Sequence, residues 1–250
     1  MRYYVCSDVH GFYTELRQAL KKAGFDGDTE PHKLLIVGDL CDRGSEAKGL
    51  QEFILRQMEQ EQLIFVRGNH EDLFEELVTV DRGYPFEHHI FNGTYDTALQ
   101  LTGFSLLEAD TDPAAFTAAA KATPFYRSIL PAAIDWYETE HYIFTHGWLP
   151  CHRKFDGTPL YNPSWRNADA EEWREARWQN GMDTARFVTE PGKTVVCGHW
   201  HTSWGHSKIE KKCPEFGEDA DFSPYYAEGI IAIDGCTAYS GKINCLILED

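Results

Sequence analysis

Leu34-Leu35-Ile36-Val37-Gly38-Asp39-Leu40-Cys41-Asp42-Arg43-Gly44 is the stretch on which the fold turns. It opens as an apolar run with β-branched residues, the pattern of a strand buried on both faces. It then breaks at Gly38 into two carboxylates, an arginine and a second glycine. Charges follow a buried strand so closely only when they are paired or used. In an open α/β sheet, ligands bind outside the carboxyl ends of the strands, where Asp39 falls. The reading is that Asp39 bridges two metal ions, with further ligands supplied by similar strand ends.

Four more such ends occur. Tyr3-Tyr4-Val5-Cys6 runs into Ser7-Asp8-Val9-His10-Gly11, and Leu63-Ile64-Phe65-Val66 into Arg67-Gly68-Asn69-His70-Glu71. Tyr142-Ile143-Phe144-Thr145 ends at His146-Gly147, and Thr194-Val195-Val196-Cys197 at Gly198-His199-Trp200-His201. A lone Asp or His at a strand end is usually a polar turn. Five apolar runs that each stop at a Gly-flanked Asp, Asn or His describe a site. Carboxylate with imidazole suits Mn, Fe or Zn, so two divalent transition-metal ions are expected.

Helical spacing of Phe12, Leu16, Ala19, Leu20 and Ala23 predicts a helix ended by Gly24. Ala47, Leu50 and Ile54 predict another, with Ser45 as its cap. A partly helical insertion is expected at about 79–140, with Ala114 to Ala122 helical and His88 and His89 as ordinary polar or part-buried residues. Asn92-Gly93-Thr94 with Thr97 reads either as a substrate-side loop or as a turn opening a helix through Leu101. Glu171 to Trp178 is helical in tone. Arg166, Arg174 and Arg177 read as surface residues, with Arg177 and Asn92 carried as substrate-binding candidates. Gly229 to Asp234 and Ile243 to Leu248 read as a terminal hairpin. No internal repeat or linker interrupts the 250 residues, so one domain over 1–250 is expected.

The composition narrows the partners. A formal net charge of -17 argues against duplex nucleic acid, which requires clustered positive charge. It does not argue against phosphates, because metal ions invert the local field. No apolar run is long enough to span a bilayer, and with Met1-Arg2 leading straight into a strand no signal peptide is expected. The seven cysteines are scattered without a CxxC pair. That suggests reduced thiols and a cytoplasmic location.

Taken together, Ser7-Asp8-Val9-His10-Gly11, Gly38-Asp39-Leu40-Cys41-Asp42-Arg43-Gly44, Arg67-Gly68-Asn69-His70-Glu71, His146-Gly147 and Gly198-His199 resemble the motifs of calcineurin-like metallophosphoesterases, and within them the phosphoprotein phosphatases. The resemblance extends over nearly the whole chain. It implies an α/β fold, a four-layer α/β/β/α sandwich of two mixed β-sheets flanked by helices. It also implies that Asp8, His10, Asp39 and His201 hold one metal, and Asp39, Asn69, His146 and His199 the other. A metal-bridging hydroxide would then attack phosphorus in line. His70 would protonate the leaving oxygen, Asp42 would orient His70, and Arg43 and Arg67 would bind phosphate oxygens. Three departures stand out. Ser7 replaces a glycine, Trp148 stands where protein phosphatases have a second glycine, and His201 is an imidazole they generally lack.

The implied function is hydrolysis of phosphate monoesters, of the serine/threonine protein phosphatase kind, with a phosphoprotein or phosphopeptide as partner. The alternative is a nucleotide-directed hydrolase, a bis-nucleosyl tetraphosphatase or phosphodiesterase, for which His201, Trp148 and Trp200 leave room. A non-catalytic scaffold is a third reading, but it would be expected to have lost ligands, and every expected position is occupied.

Overall fold

The computed structural model describes residues 1–80 and 87–250. Its strands are β1 Arg2–Cys6, β2 His32–Val37, β3 Leu63–Val66, β4 Tyr137–Glu138, β5 Tyr142–Phe144, β6 His152–Arg153, β7 Pro159–Leu160, β8 Thr194–Cys197, β9 Tyr225–Ala227, β10 Ile230–Ala232 and β11 Leu246–Glu249. They form a four-stranded sheet in the order β11-β1-β2-β3, a five-stranded sheet in the order β4-β5-β8-β10-β9, and the small ribbon β6-β7. In the first sheet β1, β2 and β3 run parallel and β11 pairs antiparallel with β1, whereas in the second β5, β8 and β10 run parallel and both edge strands, β4 and β9, pair antiparallel, so both sheets are mixed.

Alternation along β1 and β2 creates the layers. Tyr3, Val5, Leu35 and Val37 point to one face and meet Phe144, Val196 and Ile231 from the other sheet. Tyr4, Cys6, Leu34 and Ile36 point to the opposite face and pack under helices. The second sheet likewise turns Ile143, Val195 and Cys197 outward against Trp148, Trp165 and Trp173. Both faces of each sheet are therefore apolar, and the expected four-layer sandwich is what these residues build.

Helices α1 Tyr13–Ala23, α2 Ala47–Glu59, α3 Asn69–Thr79, α4 Glu87–Asn92, α5 Thr94–Thr102, α6 Leu106–Thr111 and α7 Pro113–Ala122 lie on the side of the first sheet. Gly24 ends α1 at φ 90°, a left-handed conformation that costs glycine nothing. Ser45 does not cap α2. That position is Glu46, whose carboxylate instead binds the backbone and hydroxyl of Thr14. The described part of the 79–140 segment is helical, and Tyr95, Ala98, Leu101 and Phe116 bury into the core beneath the first sheet. Residues 81–86 of that segment lie outside the described residues. Short α8 Leu130–Ala132 leads into the second sheet, and α9 Ala170–Arg177 packs over it. Among the described residues no helix is long and apolar enough to cross a membrane.

The expected terminal hairpin does not form. The hairpin partner of β10 is β9, which reaches it through a tight turn with Gly229 at φ 73°. β11 crosses to the first sheet and closes the open edge of β1.

Candidate active site

Each of the five motif-bearing strands ends just before a functional side chain: β1 before Asp8, β2 before Asp39, β3 before Asn69, β5 before His146 and β8 before His199. The first three belong to one sheet and the last two to the other. The strand ends thus face each other across the sandwich, and side chains more than 100 residues apart in sequence converge. Asp8, His10, Asp39, Asn69, His70 and His146 are all buried. Nine non-glycine residues among those described have positive φ, and six of them are Asp8, His10, Asp39, Asp42, Arg43 and His199. Backbone strain of this kind persists where the surrounding structure over-determines it, and here it is concentrated at one site.

Asp39 stands at the centre. Its Oδ1 is 3.3 Å from His146 Nε2, and its Oδ2 is 3.6 Å from His10 Nε2 and 3.8 Å from His70 Nε2. Two groups of potential metal ligands result, His10–Asp39–His70 and Asp39–His146–His199, and Asp39 is common to both. The orientation of the imidazoles follows from their other nitrogen. His10 Nδ1 donates to the carbonyl of Cys41 at 3.0 Å, and His146 Nδ1 to that of Val37 at 3.0 Å. A carbonyl only accepts, so both rings carry their proton on Nδ1 and present Nε2 to the site. His146 Nε2 also lies 2.9 Å from Asn69 Oδ1. The Asp8 carboxylate receives the backbone N–H of His199 at 3.0 Å and lies 4.0 Å from His10 Nε2.

The electrostatics call for cations. Burial, with Asp234 next to it, pushes the Asp8 carboxyl well up. Burial alone would pull His146 down, but Asp39 and Asp8 outweigh it and hold that imidazole at about 10. A proton on His146 is thus the site's own answer to its clustered carboxylates. Burial and the neighbouring His146 lower His199 to about 3, so it stays neutral. Its Nε2 is buried without a hydrogen-bond partner, a lone pair aimed inward. A Cβ on Gly198 would stand 2.1 Å from Asp8 Oδ2, and one on Gly68 2.2 Å from Asp39 Oδ1. The backbone is pared back to let these oxygens reach the centre. The inward-facing imidazoles of His10, His146 and His199, buried carboxylates and an amide oxygen are the donor set of a transition-metal pair, and an ion at His146 would take the place of its proton.

Beside this centre, His70 Nδ1 lies 2.7 Å from Asp42 Oδ2. Thr94 Oγ1 donates to the same oxygen at 2.6 Å, and the Asp42 amide donates to Thr97 Oγ1 at 2.9 Å. The stretch read as a loop or a helix start is therefore a helix start, and its two buried threonines hold Asp42. Burial lowers His70, but Asp39 and Asp42 more than compensate, so its pKa is raised.

The arginines divide. Arg43 is exposed, and the Asp42 carboxylate goes to His70 and Thr94 rather than to it. Arg67 and Arg177 share the buried Asp72, at 2.7 Å each, and are engaged further by Glu75 and Asp135 respectively. Arg177 is thereby an internal tie between α9 and α3, and not a surface residue. Asn92 donates to the carbonyl of His88 within its own helix. His201 Nε2 pairs with Glu215 at 3.0 Å, outside both ligand groups.

Two residues carry weight that the motifs did not signal. Glu71 is buried and accepts the amides of Gly68, Asp39 and Leu40 at 2.7, 2.9 and 2.9 Å. Its place three residues after the helix cap is the available clue. Asp234 is buried after β10 and close enough to perturb Asp8. It obeys the same rule of an apolar run ending at a Gly-flanked carboxylate, and its placement in a supposed hairpin masked this.

A family model described as calcineurin-like phosphoesterase matches residues 1–203. The chain belongs to the calcineurin-like phosphoesterase family. Members are binuclear, metal-dependent phosphoric ester hydrolases, and this one carries candidate His/Asp ligands for such a pair. Among curated proteins it is similar to the asymmetrical bis(5'-nucleosyl)-tetraphosphatase PrpE of Bacillus velezensis, with 28% identity over 132 residues, 50% of this chain and 51% of that one. The chain spans about half the length of this relative. Its fold resembles that of a cold-active protein-tyrosine phosphatase from a psychrophilic Shewanella species, with TM-score 0.55, 16% identity, and coverage of 100% of this chain and 75% of the other. It also resembles a protein serine/threonine phosphatase from Saccharomyces cerevisiae, with TM-score 0.51, 14% identity, and coverage of 100% and 80%.

Proposed function

We propose that this calcineurin-like phosphoesterase hydrolyses phosphate monoesters with a basic leaving oxygen, of the phosphoserine or phosphothreonine kind. The observation that carries this is the His70–Asp42 pair, with Asp42 held in turn by Thr94 and Thr97. An imidazole so firmly oriented is worth most where an alkoxide must be protonated as it leaves. A phosphoanhydride, whose leaving group is itself a weakly basic phosphate, needs that proton less.

Asp8, His10 and Asp39 would hold one divalent ion, and Asp39, Asn69, His146 and His199 the second. When bound, such ions acidify water and neutralise the phosphoryl oxygens. The remaining work falls to the protein. Asp42 accepts the Nδ1 proton of His70 and leaves its Nε2 proton for the leaving oxygen. Arg43, exposed at the rim with no carboxylate partner among the described residues, neutralises the non-reacting phosphate oxygens by charge-assisted hydrogen bonds. No protein nucleophile is required. Residues 1–250 are read as one catalytic domain, with the 79–140 insertion supplying Thr94 and Thr97. The seven free cysteines accord with a reducing compartment.

A second reading, a nucleotide-directed hydrolase, is favoured by the bis-nucleosyl tetraphosphatase relatives. It is also favoured by the exposed Trp178, whose ring packs against His199 at 5.7 Å. A screen of metal-stripped enzyme with added Mn separates the two. The substrates are a phosphoserine peptide, a dinucleoside tetraphosphate, a nucleoside monophosphate and a phosphodiester. The highest kcat/KM is expected on the phosphopeptide. A clear preference for the tetraphosphate would replace the first reading with the second.

A further inference from the structure

Helix α3 begins in the active site with Asn69 and His70 and ends well away from it. Near its C-terminal end, Glu76 faces His88 and His89 on α4. One ligand atom from each of the three lies within 4.8 Å of the other two. His88 Nε2 is 3.9 Å from Glu76 Oε2, and the two imidazole rings are 4.1 Å apart, centre to centre. Successive residues on a helix project about 100° apart. Here two successive imidazoles are nevertheless drawn together beside one carboxylate. His89 is buried, Glu76 is half-buried and His88 is exposed.

We propose that Glu76, His88 and His89 form a third metal site, for a zinc ion, separate from the pair centred on Asp39. Two imidazoles and one carboxylate match the borderline character of zinc and leave a fourth position for water. Calcium and magnesium prefer all-oxygen shells and are poorly served by this set. Zinc–ligand bonds of about 2.0–2.2 Å place tetrahedral ligand atoms roughly 3.3 Å apart. The cluster therefore closes on the ion by about 1–1.5 Å, a movement that rotation of the His88 and Glu76 side chains supplies. The ion's position defines its role. It ties α3, which carries His70, to α4, and α4 leads through Gly93 into the threonines that hold Asp42. A Cβ on Gly93 would stand 2.5 Å from the Arg43 amide, so this connection presses directly on the catalytic loop. The third ion stabilises the insertion against the site and takes no part in hydrolysis.

The test titrates the metal-stripped full chain with zinc alone and counts bound zinc by elemental analysis after desalting. The proteins are wild type, His88→Gln with His89→Gln, and Glu76→Gln, each with and without Asp39→Asn. The histidine variant is expected to bind one zinc fewer than its parent in both backgrounds. With Asp39 intact, it should keep Mn-supported hydrolysis near the wild-type rate. Glu76→Gln should weaken the same zinc by about tenfold or more. Circular dichroism in EDTA checks that each variant is folded. Equal zinc counts with and without the histidine pair in both backgrounds overturn the proposal. Should the histidine variant not fold, an unchanged zinc titration for Glu76→Gln overturns it instead.

Discussion

The side-chain carboxylate of Glu71 accepts the backbone amide of Asp39 at 2.9 Å, and with its other contacts it clamps the loop after β2 to the start of α3. Glu71→Ala would leave three amides unpaired in a site that is 1% exposed. Each unpaired buried group costs about 1–3 kcal/mol, so a loss of at least about 3 kcal/mol is expected. Glu71→Gln, which keeps one carbonyl acceptor, should lose less. Urea unfolding of metal-stripped protein measures both, and an alanine variant of wild-type stability would show that the clamp is dispensable.

Asp39 directs one oxygen to His146 and the other to His10 and His70. Asp39→Asn should therefore disrupt both catalytic metals together, with activity lost in parallel. Elemental analysis in Mn-supplemented buffer is the check. Retention of both ions by the variant would refute the shared-carboxylate assignment.

His70 should matter in proportion to the basicity of the leaving group. His70→Asn is expected to slow an alkyl phosphate by about 10²–10⁴-fold, the usual contribution of acid–base catalysis, and p-nitrophenyl phosphate clearly less. Thr94→Val removes the hydroxyl that steadies Asp42 and should show the same ordering in weaker form. Equal losses on the two substrates, with chemistry rate-limiting, would mean that His70 is not the proton donor.

His201 tests a ligand assignment that the geometry does not favour. Its Nε2 pairs with Glu215, and both ligand groups form without it. His201→Ala is expected to retain full metal content, and Glu215→Gln likewise. Loss of one ion from the alanine variant alone would restore His201 to the first metal.

Acid sensitivity should arise far from the site. Hydrogen bonds from Arg166, outweighing burial, hold Glu138 ionised down to about 2. A carboxyl whose folded pKa is depressed stabilises the fold fully above its ordinary value near 4.5. That contribution fades as pH falls from there through about 2. Because Arg166 is 34% exposed, screening reduces the effect to about 1–2 kcal/mol. Urea midpoints measured from pH 6 to pH 3 should fall less steeply for Glu138→Gln than for wild type. Parallel slopes would remove Glu138 from the account.

Much of the site was legible because a strand buried on both faces announces itself as an apolar run, and polar residues at its end then stand out. That reasoning placed Asp8, Asp39, Asn69, His146 and His199 at strand ends without knowledge of how the strands pair. It also led to the four-layer sandwich, through the resemblance those ends carry. It misled where an apolar run did not reveal its partner: Ile230–Ala232 and Leu246–Glu249 are neighbours in sequence but belong to different sheets.

Which residues are chemically able to hold metal and donate a proton can be read from the chain's residue order, because that depends on residue type and on the strand each one follows. Tertiary structure decided how they are used. Arg177 reaches Asp72 across 105 residues, and Thr94 reaches Asp42 across 52. His201 turns to Glu215, and Glu76 meets two histidines from the next helix. Local propensity is set by a residue and its near neighbours, whereas an ion pair or a ligand group depends on which side chains the packed sheets and helices bring within about 4 Å. That distance is a property of the fold.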